Sequence, residues 1–344
     1  MSNSIVARRK FLLGLGVSAA GAFLPFRANG SGWSWIRERS ALPIESSSLL
    51  YPPVDLSYFD TPISPAPAHI RFGYAAITWG GDDSQAIKDI SSLGFKGIQL
   101  RANILKQYGS QPGELKDILS KYGLEFVALS SGAVSTTPGR EKEDVDLHTQ
   151  NAQFLKEAGG RYLQVTDSGP IRPRTSRPDD FRRLGNLLTE IGQRVTDLGV
   201  QLGYHNHMGS LGQAPADVDK IMNEADSRYV KLELDVAHYF QGGGDPVNAI
   251  RTYRDRLLFL HLKDVEKLST PGSYQFVELG KGQVDIPGVV AALEQTRFRG
   301  WAVVELDAVP RDEKASGRTP RDCAIENKQY LEEHFGLKIQ SSSS

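Results

Sequence analysis

Sulfur is almost missing from this chain. Its 344 residues include one cysteine, Cys323, which has no intramolecular disulfide partner and excludes a thiolate metal cluster. Any resident metal must then be held by nitrogen and oxygen ligands. An excess of one charge is missing too: 40 Lys+Arg stand against 41 Asp+Glu, so nothing marks a polyanion-binding surface. There is also no good membrane span. The apolar run Phe11–Leu24 is short and rich in glycine, whereas a bilayer asks for roughly 20 apolar residues. What is present is a 40% hydrophobic content, enough for one large core and for a single barrel of roughly 250 residues.

The run Phe11–Leu24 follows Arg8-Arg9-Lys10, giving the positive and apolar regions of a signal peptide. Arg8-Arg9-Lys10-Phe11-Leu12 matches the twin-arginine export pattern, so residues 1–30 read as a signal and the mature protein as periplasmic. Removing them takes away four cations (Arg8, Arg9, Lys10, Arg27) and no acid, which moves the net charge from −1 to −5 and further disfavours nucleic acid. Residues 31–70 read as a linker. Tyr51-Pro52-Pro53-Val54 and Thr61–Pro67 concentrate proline, which opposes helix and central strand alike. Residues 337–344, ending in Ser341–Ser344, read as a disordered tail.

Between these ends, strand-like and helix-like segments alternate. The expected strands are Phe72–Thr78, Gly97–Leu100, Phe126–Ser130, Tyr162–Thr166, Gln201–His205, Val230–Asp235, Leu257–His261 and Ala302–Glu305. The expected helices are Asp83–Leu93, Glu114–Lys121, Asp144–Glu157, Asp179–Leu198, Ala216–Glu224, Val247–Tyr253, Ile286–Gln295 and Arg321–Glu333. Leu93-Gly94-Phe95, Tyr122-Gly123-Leu124, Ala158-Gly159-Gly160 and Leu198-Gly199-Val200 each end a helix on glycine and start a strand. Eight such units over residues 71–336 predict a single-domain α/β fold, a (β/α)8 TIM barrel. The doubly wound alternative wants a glycine-rich phosphate turn after its first strand, and Thr78-Trp-Gly-Gly-Asp-Asp83 is not one.

In such a barrel the chemistry sits at the C-terminal strand ends. His69, His148 and His334 fall in the linker or on helices, and a solvated position is expected for each. The other four histidines cluster at strand ends: His205 and His207 in Tyr204-His-Asn-His-Met208, His238 in Leu234-Asp-Val-Ala-His238, and His261 in Leu260-His-Leu-Lys-Asp264. Asp235 and Glu305 share those positions. Four consecutive strands thus deliver His205, Asp235, His261 and Glu305 to one rim. Imidazole and carboxylate together suit one divalent ion (Mn, Co, Fe or Zn).

Several of these segments carry a resemblance. Gly203-Tyr-His-Asn-His-Met-Gly209, Leu234-Asp-Val-Ala-His238, Gly242-Gly-Gly-Asp-Pro246, Tyr253-Arg-Asp-Arg256, His261-Leu-Lys-Asp-Val265 and Gly280-Lys-Gly-Gln-Val-Asp285 resemble the sugar-phosphate isomerase/epimerase family of xylose isomerase-like barrels. The nearest look is to its inosose dehydratase-like members. The resemblance is strongest from the fifth strand onward. It implies one divalent metal, with manganese favoured, and a sugar or cyclitol substrate. It also implies metal ligands at Asp235, His261 and Glu305. His205 stands where many epimerases carry Glu, and Gln99 where the family often carries an acid. Neutral imidazole at 205 leaves the ion less neutralised, hence a stronger polariser of a carbonyl, and removes one of the two opposed carboxylates that epimerisation uses.

The chemistry so implied is abstraction of a proton next to a ketone to give an enediolate, followed by loss of a β-substituent. Glu305 is the base that the resemblance implies, with His238 and His207 as alternatives. Lys263, two residues beyond His261 on the same side of the strand, either stabilises the enediolate oxygen or protonates a leaving group, or is an exposed rim lysine. His238 is either a substrate contact or an orienter of a ligand. Glu278–Asp285, containing Lys281, is either a flexible substrate-covering loop or a turn with Asp285 as N-cap. Trp79 and Arg101 are expected to line the pocket. Two other readings compete with the lyase: simple isomerisation or epimerisation, and a non-catalytic sugar-binding barrel. An endonuclease of the related apurinic-site class ranks low, because it needs more ligands and a basic groove. A homo-oligomer stays open.

Overall fold

Strands covered by helices on one side and packed into a barrel on the other are buried on both faces, and so read as near-continuous apolar runs. The runs Leu-Leu-Phe-Leu-His-Leu (257–262) and Gly-Trp-Ala-Val-Val (300–304) are of this kind. In a computed structural model of the protein they belong to a closed parallel barrel. The residues described are 68–336, apart from 136, 170–177, 271, 311–313, 315 and 316. The signal and tail expectations, and the linker up to residue 67, lie outside them.

In chain order the strands are β1 (His69–Ala75), β2 (Gly97–Arg101), β3 (Glu125–Val134), β4 (Tyr162–Asp167), β5 (Gln201–His205), β6 (Val230–Asp235), β7 (Leu257–Leu262), β8 (Asp264–Lys267), β9 (Tyr274–Val277) and β10 (Arg299–Val304). The barrel runs β1-β2-β3-β4-β5-β6-β7-β10 and closes where β10 pairs with β1. β8 and β9 form an antiparallel hairpin above β7, which the alternation of strand and helix had not foreshadowed. β1 also differs from expectation. Its register with β10 starts at His69↔Arg299, so it takes two residues from the expected linker. It ends at Ala75, where the chain turns into a 3-10 helix, Ala76–Trp79, closed by Gly80 at φ 64°.

The helices pack an apolar stripe on the sheet. Pro178–Asp197 buries Phe181, Leu184, Leu188, Ile191 and Val195, a spacing of three to four residues that keeps one face inward. The glycine joints do what their position asks: Gly94 (φ 91°) and Gly199 (φ 81°) take the left-handed conformation that ends a helix. Among the described residues no helix is long and apolar enough to cross a membrane.

Inside the barrel, inward positions alternate with period two and stack in layers. The lower layer is apolar: Trp301, Phe259 and Val127 pack together, and Tyr162 stacks on Phe259 at 5.4 Å. Gly97 leaves room for the Trp301 ring, since a Cβ there would sit 2.5 Å from Trp301 Cζ3 and from Val127 Cγ2. A Gly97→Ala variant is therefore expected to lose about 1–3 kcal/mol through overpacking, read as a lowered midpoint in denaturant titration. Above this plug the inward positions turn polar, and the site begins there.

Candidate metal centre

β6 reads Val-Lys-Leu-Glu-Leu-Asp. Its leucines face the helices, so Glu233 and Asp235, two apart, both face the barrel interior, and both are fully buried. Asp235 is also the N-cap of the short helix Val236–Gln241: its Oδ1 accepts from the His238 amide at 2.8 Å. That fixes the carboxylate and leaves Oδ2 facing the cluster. Asn206, just past β5, clasps the end of β6 through the Asp235 amide (3.0 Å) and carbonyl (3.2 Å).

Around Asp235 gather His261 from β7 and Glu305 from just beyond β10. His261 Nδ1 lies 3.0 Å from Glu305 Oε2, 3.5 Å from Asp235 Oδ2 and 3.5 Å from Glu233 Oε1. His205 Nδ1 is in ion-pair contact with Glu233 Oε2, and its ring centre is 5.0 Å from that of His261. Three overlapping triads have ligand atoms within 4.8 Å of one another: Asp235–His261–Glu305, His205–Glu233–His261 and His205–His207–His238. Asp235, His261 and Glu305 thus form one group. His205 adjoins it through His261 and Glu233 rather than sharing a triad with the other two carboxylates.

The donor set fits a divalent cation. His205 Nδ1, Glu233 Oε1, Asp235 Oδ2 and His261 Nδ1 are buried and converge within ion-pair distance, yet among the described residues none has an aligned hydrogen bond. Buried polar atoms are normally satisfied, and a cluster of exceptions needs an ion or another partner. The charge agrees. Three buried carboxylates (Glu233, Asp235, Glu305) meet one buried ammonium, Lys263, which also pairs with Asp307, an excess of negative charge that a cation would offset. Glu233 therefore corrects the sequence-based count, in which neutral His205 left the ion less neutralised. A carboxylate is present after all, on β6 behind the imidazole. Its signal was legible as the alternation Leu-Glu-Leu-Asp. Asp307, two beyond Glu305, was missed in the same way.

A glutamine relay sets the His261 tautomer. His261 Nε2 donates to Gln99 Oε1 (2.9 Å), Gln99 Nε2 to Gln164 Oε1 (2.7 Å), and Gln164 Nε2 to Glu233 Oε2 (3.2 Å). With its hydrogen on Nε2, neutral His261 presents the Nδ1 lone pair to the cluster. Gln99→Leu breaks the first link. It is expected to weaken divalent-ion affinity by about 10–100-fold, the usual cost of an outer-shell partner, as measured by competition with a chromogenic chelator.

The other histidines differ in role. The Met208 carbonyl can only accept, so His207 Nδ1 donates to it (2.6 Å) and Nε2 carries the lone pair. The Met208 amide donates to His238 Nδ1 (3.4 Å), so neutral His238 carries its hydrogen on Nε2, 3.9 Å from Asp235 Oδ2. The ring thus faces Asp235 without a hydrogen bond, while the His238 amide fixes that carboxylate. The two rings are 3.8 Å apart. Burial pushes both imidazoles down, His238 well below the usual value, so both are neutral at pH 7. Burial alone would also lower His261, but Glu233 and Glu305 outweigh it and raise His261 well above the usual value.

Lys263 is no rim lysine. It is 1% exposed and held by Asp307 (2.6 Å), Glu305 (3.0 Å) and Asp235 (3.7 Å). Burial opposes its charge, yet those carboxylates raise its pKa. Glu305 shows the converse: burial would raise it, but His261 and Lys263 hold it well below the carboxylate range. Phe276 of β9 covers this corner, 4.0 Å from Lys263 Nζ and edge-on to His238 at 5.2 Å.

The remaining candidates lie elsewhere. Arg101 is exposed and lines a cavity of about 570 Å³. Trp79 does not line it: the ring is buried edge-on to Tyr74, with its N–H bonded to Asp89. Lys281 pairs with Glu278 and Glu326 rather than with the cluster. Its loop is fastened, because the Asp264 carboxylate accepts from the amides of Gly280, Gly282 and Val284, while Asp285 caps the next helix through the Gly288 amide. His69 and His334 are exposed as expected, but His148 is fully buried, 2.6 Å from Ser131 Oγ, because its helix turns that face onto β3.

A model of the xylose isomerase-like TIM barrel family matches residues 87–333. The chain belongs to this family. Among relatives of this xylose isomerase-like barrel, an inosose dehydratase of Lacticaseibacillus casei is 27% identical over 76% of the chain and 96% of its own length. The rhizopine catabolism protein MocC of Rhizobium meliloti is 28% identical over 80% and 92%. The IOLI protein, solved with a bound zinc atom, superposes with a TM-score of 0.66 at 15% identity, over 78% of this chain and all of that one; it shares the fold. The clustered His, Asp and Glu side chains of this family member form candidate metal-binding sites consistent with a metal-dependent enzyme.

Proposed function

We propose that this barrel is a divalent-metal-dependent lyase that removes the proton next to the ketone of a keto-sugar, oxidised glycoside or cyclitol and expels the substituent on the adjacent carbon. The observation that carries the reading is the ion pair of Lys263 with Glu305 at 3.0 Å. It holds Glu305 deprotonated and weakly basic, so Glu305 is a poor second base for epimerisation. His207, a neutral imidazole whose Nε2 carries the lone pair, stands just past β5 on the same side of the mouth. A divalent ion held by Asp235, His261 and Glu305, with His205 and Glu233 adjoining, supplies Lewis-acid polarisation of the ketone; manganese is our first choice.

His207 Nε2 is the proton acceptor in this scheme. It is neutral, half-buried and oriented by the Met208 carbonyl. Lys263, which keeps its proton, offers a fixed positive charge beside the oxygen that becomes anionic. The His238 amide positions Asp235. The relatives named inosose dehydratase support elimination over epimerisation.

The test is NMR in D2O with the manganese-loaded protein and either a keto-inositol or a 3-keto-glucoside. An unsaturated product with release of the β-substituent is expected. A deuterated epimer as the sole product would transfer the reading to an epimerase. Absence of both exchange and product would favour a binding barrel. Arg8-Arg9-Lys10-Phe11-Leu12 supports a periplasmic setting reached by the twin-arginine route; a reporter fused to residues 1–40 that stays in the cytoplasm would remove that support.

A further inference from the structure

The cluster occupies the β5–β7 and β10 side of the barrel mouth. The opposite side, above β1–β3, holds the cavity of about 570 Å³, within the size range of small-molecule sites. β2 links the two. Gln99 bonds His261, and Arg101, two residues further along the strand, faces the same way and lines the cavity. At the strand rise of about 3.3 Å per residue, Arg101 stands about 7 Å nearer the mouth than Gln99. One strand face thus runs from the cluster, at Gln99, to the cavity, at Arg101.

The lining tells what the extension carries. Arg101 and Lys106 contribute two cations, and among the described residues neither is in an ion pair. The sole acid of the lining, Asp83, is 8% exposed and already accepts from Asn103 Nδ2 at 2.7 Å. Burial raises its pKa, and the nearby Arg101 works against that rise. Gly80, Gly81 and Gly132 line the cavity with no side chain to narrow it. An open polar pocket with two cations against one acid suits a carboxylate on a hydroxyl-rich unit.

We propose that the cavity above β1–β3 is a second substrate subsite, which binds a carboxylate-bearing polyol or sugar-acid unit joined through oxygen to the oxidised ring, and that this unit is the leaving group. The assignment rests on the lyase reading for the ring at the cluster. In the step it serves, the C–H bond next to the ketone breaks and its proton passes to His207. The electron pair of that bond forms the new C=C bond. The β C–O bond breaks with its pair on oxygen, and that oxygen takes the proton returned from His207 by way of water and departs as an alcohol in the subsite. Nothing is oxidised or reduced.

Binding tests this without turnover. The full-length protein, in buffer containing manganese, is titrated calorimetrically with methyl β-D-glucoside, cellobiose and cellobionate, in which a glucose ring is linked through oxygen to a gluconate unit whose carboxylate is free. Cellobionate is expected to bind at least about tenfold more tightly than the other two, equivalent to about 1.4 kcal/mol, and an Arg101→Ala/Lys106→Ala variant is expected to erase the preference. Equal affinities, no cellobionate binding at millimolar concentration, or a preference that survives in the double variant would each overturn the subsite. Because these ligands carry no ketone, a cellobionate preference together with failed elimination in D2O would remove the lyase reading and leave the subsite standing.

Discussion

A His261→Ala protein is expected to bind divalent metal at least about 100-fold more weakly than the native chain, beyond the usual loss of an outer-shell partner. The reason is geometric. Nδ1 of His261 sits among Glu305, Asp235 and Glu233, at 3.0, 3.5 and 3.5 Å, and belongs to two of the three triads. Removing it leaves three buried carboxylates with Lys263 as their one nearby fixed cation. Without metal, His261 is protonated at neutral pH because Glu233 and Glu305 outweigh the effect of burial. An ion must therefore displace that proton, and binding releases one proton at pH 7. Affinity is expected to rise about tenfold per pH unit below the His261 pKa and to level off above it. Calorimetry in two buffers of different ionisation enthalpy measures the proton. In His261→Ala this release should vanish. A mutant that retains native metal content on elemental analysis would overturn the centre as assigned.

The second large effect is at His207. As the proton acceptor, its removal in His207→Ala is expected to lower kcat by about 10²–10⁴-fold, the usual contribution of a general base. Metal content should hold, because Asp235, His261 and Glu305 are untouched. This distinguishes a base from a ligand: loss of metal along with activity would make the His205–His207–His238 triad the binding group. The pH profile adds a second readout. Burial lowers the His207 pKa, so the native acid limb of kcat/KM should lie below the ordinary imidazole range of about 6.5, with activity rising as pH passes upward through it. His238→Ala, by contrast, should act through Asp235 and so show its loss in metal affinity more than in kcat at saturating metal.

Much of this site could be read from strand ends. His205, Asp235, His261 and Glu305 end four apolar runs, and a parallel barrel sends such positions to one rim. Lys263 was legible as a neighbour of His261 through the two-residue repeat. The same repeat should have exposed Glu233 beside Asp235 and Asp307 beside Glu305. The misses of another kind have other causes. His148 sits on a helix of low amphipathic contrast whose buried face includes Asp144 and Asn151, so polarity did not announce exposure. Trp79 follows a strand end, but the chain has already turned into a 3-10 helix, which rotates the indole into the core. The hairpin β8–β9 falls between a strand and a helix, where the alternating pattern leaves no place for it.

The order of residues by itself determined the barrel, because burial of each strand on both faces and glycine at four of the helix ends are local requirements. It likewise placed the candidate ligands on one rim, because side-chain direction in a strand repeats every two residues. Only the tertiary structure decided which groups meet. Gln99 fixes the His261 tautomer across 162 residues of chain, and Lys263 silences Glu305 across 42. Those meetings depend on strand register, barrel closure and rotamer. These properties set the basicity of each group, and so the choice of base, yet no short stretch of sequence encodes them.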